Sequence, residues 1–251
     1  METLTKCYGI MVTQGDLLNT GCISELVSML LSYAIMAGGA LLQVPQIMNI
    51  MKSKSVAGLP VFALYSQVFI PITFITYNLL QGNPVATWGE NIFSLIQNVI
   101  IVILYWQLAE PKVSSQHALL MSAGFIGLFA VCMKLPADIQ YVLPLSCLPL
   151  LFTSRVPQII ANYQNQHTGP LSGFSFVLIV GGSAARVYTT ILEVGLDYSM
   201  IASYALGGAF AAVLWAQCMY YGPPRGAAKA KGAKDTPGKA ERPKRESRKD
   251  E

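Results

Sequence analysis

Seven apolar stretches, each close to the roughly 20 residues that cross a hydrocarbon core, alternate with short polar connections. They cover residues 27–51, 59–80, 88–108, 117–133, 139–163, 171–192 and 199–221. The connections, at 52–58, 81–87, 110–116, 134–138, 164–170 and 193–198, are rich in Gly, Pro and polar residues. The fourth stretch is the shortest, and its ends are marked only by His117 and Lys134. The pattern predicts an all-α membrane protein with seven transmembrane helices.

One phrase occurs twice. Val44-Pro45-Gln46-Ile47 recurs as Val156-Pro157-Gln158-Ile159, each copy near the end of a long apolar stretch. Proline removes a backbone donor and clashes with the preceding turn. In a membrane helix it is tolerated where neighbouring helices, side chains or water take up the freed carbonyl. Pro45 and Pro157 are therefore expected to be matched hinges, and paired interruptions of this kind point to a substrate path. The shift that superposes the two phrases also sets Asn49–Lys54 over Ala161–Gln166 as a polar helix exit, and Ser55–Leu59 over His167–Leu171 as a turn into the next helix. The prediction is two parallel three-helix repeats, 27–108 and 138–221, joined by a connector helix at 109–137. An N-terminal segment (1–26) and a basic tail (222–251) flank them.

Charge sharpens the picture. Charged residues are 12% of the chain, about half the usual share. The tail holds ten Lys/Arg and five Asp/Glu; the body holds seven and eight. Such a body has too few charges to cover itself with water-facing groups. With the tail in the cytosol, Lys52, Lys54, Lys112 and the tail share that side, leaving Lys6 and Lys134 on the other. Orientation by basic residues then puts the N-terminus in the lumen. No cleavable signal peptide is expected ahead of Val27. The tail is expected to be disordered; it serves orientation and solubility, or also attraction to an anionic leaflet. Its end, Arg248-Lys249-Asp250-Glu251, resembles a dibasic endoplasmic-reticulum retrieval signal with Arg in place of one Lys.

No chemical motif suggests an enzyme. The five cysteines lack metal or redox spacing; Cys7 and Cys22 could pair on the lumenal side, but an odd total and a membrane context favour ordinary apolar packing for most of them. Two histidines at helix ends, His117 and His167, make no multi-histidine site. There is no nucleophile elbow, phosphate-cradling glycine loop or paired acidic motif. No cofactor, metal or nucleic-acid partner is expected.

What remains is a set of ionisable residues in or near the apolar stretches, which are costly in lipid and functional candidates for that reason. Arg155 and Arg186 are read as substrate-binding, because a guanidinium keeps its charge and suits phosphate or carboxylate geometry. Arg186 either faces substrate or pairs with a nearby carboxylate. Glu90 and Glu193 are candidate contacts or, like Asp138, interfacial solvated groups. Arg186 and Glu193 are seven apart and share a helix face. Gln46 and Gln158 either bond the carbonyls freed by the prolines or touch substrate. Asn162 joins the candidates, and Gln43, Asn49, Asn78, Gln97 and Asn98 add polar groups. Gly38, Gly39, Gly181, Gly182, Gly207 and Gly208 are read as packing or hinge positions, packing being the favoured reading.

The doubled Pro-Gln phrase resembles the PQ-loop family of seven-span membrane proteins, related in fold to sugar-exporting SWEET proteins. Within it, the chain is most similar to the subfamily of mannose-phosphate-dolichol utilization. That likeness rests on Trp88-Gly89-Glu90, Asn162-Tyr163, His167-Thr168-Gly169, Leu171-Ser172, Gly181-Gly182-Ser183, Ala185-Arg186, Glu193 and Gly195, with Arg155 just before the second motif. It covers about residues 27–221. The resemblance implies residence in the endoplasmic-reticulum membrane. It also implies a role in using dolichol-phosphate-mannose and dolichol-phosphate-glucose as lumenal donors for N-glycan and glycosylphosphatidylinositol-anchor assembly. Three readings follow: moving or presenting the lipid-linked sugar, a non-transporting helper of membrane glycosyltransferases, or a proton-coupled amino-acid exporter. The implied partners are the bilayer, dolichol-phosphate sugars and, on the second reading, glycosyltransferases.

Overall fold

The computed structural model of the protein describes residues 20–168 and 173–221. Lys6, Cys7, the 169–172 part of the second repeat turn, and the basic tail with its dibasic end lie outside the described residues. Among the described residues, seven helical spans are long and apolar enough to cross a membrane: Thr20–Ser53, Val61–Gln81, Glu90–Leu108, Ser115–Cys132, Ala137–Asn165, Gly173–Glu193 and Tyr198–Tyr221. Span one is two helices, α1 (Thr20–Leu41) and α2 (Val44–Ser53). Spans two to four are α3 (Val61–Gln81), α4 (Glu90–Leu108) and α5 (Ser115–Cys132). Span five is a 3-10 turn followed by α6 (Val142–Leu145) and α7 (Leu148–Asn165); α8 (Gly173–Glu193) and α9 (Tyr198–Tyr221) complete the bundle. The first helix begins at Thr20 rather than Val27, so residues 20–26 of the expected N-terminal segment are already helical.

The helix ends follow from local chemistry. α3 stops at Gly82, whose φ of 67° is cheap only for glycine, and the Asn83 N–H closes back on the Asn78 carbonyl at 3.0 Å. Gly195, at φ 102°, turns the chain between α8 and α9. Lys54 and Gln166 end α2 and α7 in the left-handed conformation, at φ 49° and 53°. These two caps are separated by the same interval as the two Pro-Gln phrases, so the repeat is visible in the backbone as well as in the letters.

The packing order repeats too. In the first unit, spans one to three, α4 packs against both α1 and α3; in the second, spans five to seven, α9 packs against both α7 and α8. The third helix of each unit thus lies between the other two. The units meet through α1 on α8 and α3 on α6, while the connector α5 leans on α3. Leu119, Leu120 and Ile126 of α5 are largely exposed, as expected for a peripheral helix facing lipid. Core side chains form one cluster within each unit, around Val68 and Ile101 in the first and Phe176 and Leu214 in the second. A third joins them through Tyr77, Cys132, Leu143 and Met200. The architecture is the expected one: seven membrane spans, as two parallel triplets and a connector.

Two of the six glycines expected to pack closely do so. A Cβ on Gly39 would lie 2.6 Å from the Glu90 Cβ, and one on Gly208 would lie 2.9 Å from the Ser183 Cβ. Gly38, Gly181, Gly182 and Gly207 have nothing within 4 Å, so close packing does not account for them. Gly39→Ala is expected to lower stability by about 1–3 kcal/mol through overpacking, whereas Gly38→Ala is near neutral. Melting of both variants in detergent checks this; equal midpoints would count against the close approach of α1 and α4.

Candidate functional site

A break in a helix, like a proline inside one, leaves carbonyls that need a substitute donor. Span one breaks at Leu42–Gln43, just before Pro45 at the start of α2. The donor at that break is not Gln46 but Gln97 of α4. Its Nε2 donates to the Gly39 and Ala40 carbonyls at 3.1 and 2.8 Å, and its Oε1 accepts from the Gln43 N–H at 2.7 Å. The next residue, Asn98, performs the same service for α3. Pro71 lies inside that helix and frees the Gln67 carbonyl four residues back, which accepts from Asn98 Nδ2 at 2.9 Å. Consecutive helical residues point about 100° apart, so an amide pair on the middle helix reaches a proline defect on either side. Gln43 Nε2 closes the network on Asn98 Oδ1 at 3.3 Å.

The second repeat departs from this scheme. Pro157 sits inside a continuous α7, and the discontinuity of span five falls earlier, at Ser146–Cys147 between α6 and α7. The two Pro-Gln phrases are therefore not matched breaks: the first is a joint, the second a proline within an intact helix. Gln158 bonds no freed carbonyl either. Instead Asn162 Nδ2 donates to Gln217 Oε1 at 2.9 Å, and Gln217 Nε2 to the Ile159 carbonyl at 3.0 Å, tying α7 to α9. Gln46 lines a recess on the α2 side with Gln43, Asn49, Ser53 and Ser55.

The charged candidates separate into two groups. Arg186 is buried, 4% exposed, and forms an ion pair through Nη2 with Glu90 at the start of α4. Its Nη1 also approaches the Ala86 carbonyl, at 3.5 Å. Glu193 accepts from Ser28 and Ser32 of α1 at 2.7 and 2.9 Å. Arg186 and Glu193 do share a face, and that face looks at the first unit. Glu90 is thus a paired interior group rather than a solvated one, while Asp138 is exposed as expected. Arg155 is half-buried and makes no ion pair among the described residues. It stands two turns before Asn162 on the same side of α7.

These bonds have a common address. They join the units at the end of the bundle opposite the tail. There Tyr77 donates to Asp197 at 2.6 Å, Gln81 to Gln140 at 2.8 Å, and the Tyr188 hydroxyl reaches the Ser24 carbonyl at 3.5 Å. Asp197 also caps α9 through Oδ1, which accepts from the Ser199 and Met200 N–H groups at 3.1 Å. Toward the tail end the described polar contacts stay within a unit: Gln97 and Asn98 in the first, Asn162 with Gln217 in the second. One turn tailward of Arg186 on the same face, Gly182 is exposed, and a Cβ there would meet nothing within 4 Å. The described polar contacts thus clasp the units at one end, and toward the other the facing side of α8 is open at Gly182. A clasp of hydrogen bonds and one ion pair is reversible, because water or a polar ligand can take over each partner.

Several residues of this clasp carried little signal in the sequence. Ser28 and Ser32, four apart on an apolar helix, could have been read as one polar face. Asp197 could have been read as a cap ahead of α9. Among the described residues no cluster of His, Cys, Asp or Glu could hold a metal ion.

Comparison with known proteins agrees with the geometry. A family model described as PQ loop repeat matches residues 27–87 and 139–211, one copy in each unit. A solved structure, the 3.7 Å resolution structure of a eukaryotic SWEET transporter, superposes with a TM-score of 0.58. It is 15% identical and covers 79% of this chain and 97% of its own. At that identity the likeness concerns the fold.

Proposed function

The chain belongs to the PQ-loop repeat family, and from that premise we propose that it is a carrier for an amphipathic sugar phosphate. The cargo proposed is dolichol-phosphate-mannose or dolichol-phosphate-glucose, moved or presented as a lumenal sugar donor for N-glycan and glycosylphosphatidylinositol-anchor assembly in the endoplasmic-reticulum membrane. This follows the resemblance to the mannose-phosphate-dolichol utilization defect 1 subfamily. The observation that carries it is the division of the bundle into two units, clasped by polar contacts at one end around a buried Arg186, with the facing side of α8 open at Gly182 toward the other. With the tail in the cytosol, the clasped end is lumenal and the cleft loads from the cytosolic side. A phosphodiester anion is expensive in hydrocarbon. Arg155, half-buried on α7 with no ion pair among the described residues, meets it first; Arg186 meets it when Glu90 is released. The polyprenyl tail stays in lipid, and no catalytic step is proposed.

The test is transbilayer movement of a labelled dolichol-phosphate-mannose analogue in liposomes holding the pure protein. Movement faster than in protein-free liposomes is expected, and equal rates remove the carrier reading. One observation favours the second reading, a non-transporting helper of glycosyltransferases: Arg186 is satisfied within the protein. That reading predicts that Arg155→Ala, with folding intact, leaves donor use in cells unchanged. The carrier reading predicts a loss of several-fold.

A further inference from the structure

Four buried side-chain polar atoms among the described residues have no hydrogen-bond partner: Gln67 Oε1, Arg186 Nε, Thr190 Oγ1 and Tyr204 Oη. Such orphans are few in folded proteins, because each has given up water without gaining a partner. Three of the four converge on one place. Arg186 is seven residues from the end of α8 at Glu193, and Tyr204 six from the start of α9 at Tyr198. At 1.5 Å per residue both lie about 10 Å inside the clasped end. Thr190 follows Arg186 by four residues, on the same side of α8. Tyr204 points across the boundary between the units: its ring packs on Phe74 of α3, with centroids 5.8 Å apart. Phe74 is itself seven residues from the end of its helix at Gln81. The orphans therefore lie on the seam between the units, two of them level with the Arg186–Glu90 pair and Thr190 one turn closer to the clasped end.

Their chemistry is specific. A guanidinium N–H only donates, whereas the hydroxyls of Tyr204 and Thr190 both donate and accept. A phosphate offers acceptors alone and would leave the accepting capacity of both hydroxyls idle. A polyhydroxylated ring uses donors and acceptors together, and its C–H face can lie on the neighbouring aromatic rings.

We propose that Tyr204 and Thr190, with Arg186 Nε, form a sugar-hydroxyl subsite at the closed end of the cleft, and that Tyr204 is a specificity residue for the sugar rather than for the lipid phosphate. This rests on the carrier reading and adds to it the place and partners of the sugar. Deleting one hydroxyl tests it, because a hydroxyl without a structural partner can be removed without harming the fold. Binding of labelled dolichol-phosphate-mannose and of sugar-free dolichyl phosphate is measured on purified wild type, Tyr204→Phe and Thr190→Val, alongside melting of each. The expected result is about tenfold weaker binding of the mannosylated lipid by Tyr204→Phe, severalfold weaker by Thr190→Val, unchanged binding of dolichyl phosphate, and melting no lower than wild type. Unchanged binding of the mannosylated lipid overturns the subsite. So does an equal loss for both lipids, which would place the hydroxyl on the phosphate, and so does a lower melting point, which would give it a structural partner. Wild type binding neither lipid would defeat the carrier reading itself and the subsite with it; wild type binding both with indifferent variants would defeat the subsite alone.

Discussion

Replacing Arg186 by methionine is expected to destabilise the protein by about 3–5 kcal/mol, the range for removing one partner of a buried ion pair. Both side chains are withdrawn from solvent, Arg186 at 4% and Glu90 at 17% exposure. The truncation leaves Glu90 with no cation in a boundary otherwise closed by Tyr204, Phe74 and Met200. Replacing both partners behaves differently. A buried pair exchanged for apolar groups of similar volume is often neutral or stabilising, so Arg186→Met/Glu90→Leu is expected to melt close to wild type. The cycle through the four proteins should give a coupling of about 2 kcal/mol or more, well beyond the error of additivity for independent sites. Function separates from stability here. On the carrier reading, the stable double variant still fails to move the lipid-linked sugar, because the clasp has lost the cation that the phosphate meets. A double variant that is both stable and fully active would reduce the pair to a structural device. A single Arg186→Met variant as stable as wild type would show that the pair is not closed around a buried charge at all.

Much of the architecture was legible because its causes are local. A run of apolar residues long enough to span the bilayer dictates a crossing, and Gly82 and Gly195 supply turns that other residues form at a cost. Both Pro-Gln phrases and the caps at Lys54 and Gln166 carry the repeat directly. The face shared by Arg186 and Glu193 was legible too, from helical period alone. What the letters did not carry was which helix that face meets. Arg186 and Glu90 are 96 residues apart, and they pair only because α4 and α8 both border the seam between the triplets. The same gap hid the proper donor at the first joint: Gln46 is adjacent in sequence, but Gln97 is adjacent in space. Tyr204 gave no signal, since a tyrosine in an apolar helix reads as ordinary packing until its hydroxyl is found without a partner.

The joint at Pro45 supplies the second large effect. Gln97→Leu is expected to cost about 3 kcal/mol, because it strands two backbone groups at once. The Ala40 carbonyl and the Gln43 N–H each lose their partner, at about 1–3 kcal/mol apiece where water cannot replace it, while the Gly39 carbonyl keeps the Leu42 N–H at 3.3 Å. Partial relaxation of α1 keeps the sum below the simple total. Gln46→Leu, by contrast, removes no structural bond and should alter melting by less than about 0.5 kcal/mol. The contrast inverts the expectation drawn from the repeated phrase, in which the glutamine beside each proline repairs the helix. On the carrier reading it also gives the two amides different work: Gln97 holds the joint, while Gln46, in its recess with Gln43 and Asn49, is proposed to meet cargo. Detergent melting of the two variants decides the first half, and transport at a temperature where both are folded decides the second. If Gln46→Leu melted as low as Gln97→Leu, the division of labour would be wrong, and the motif glutamine would be structural after all.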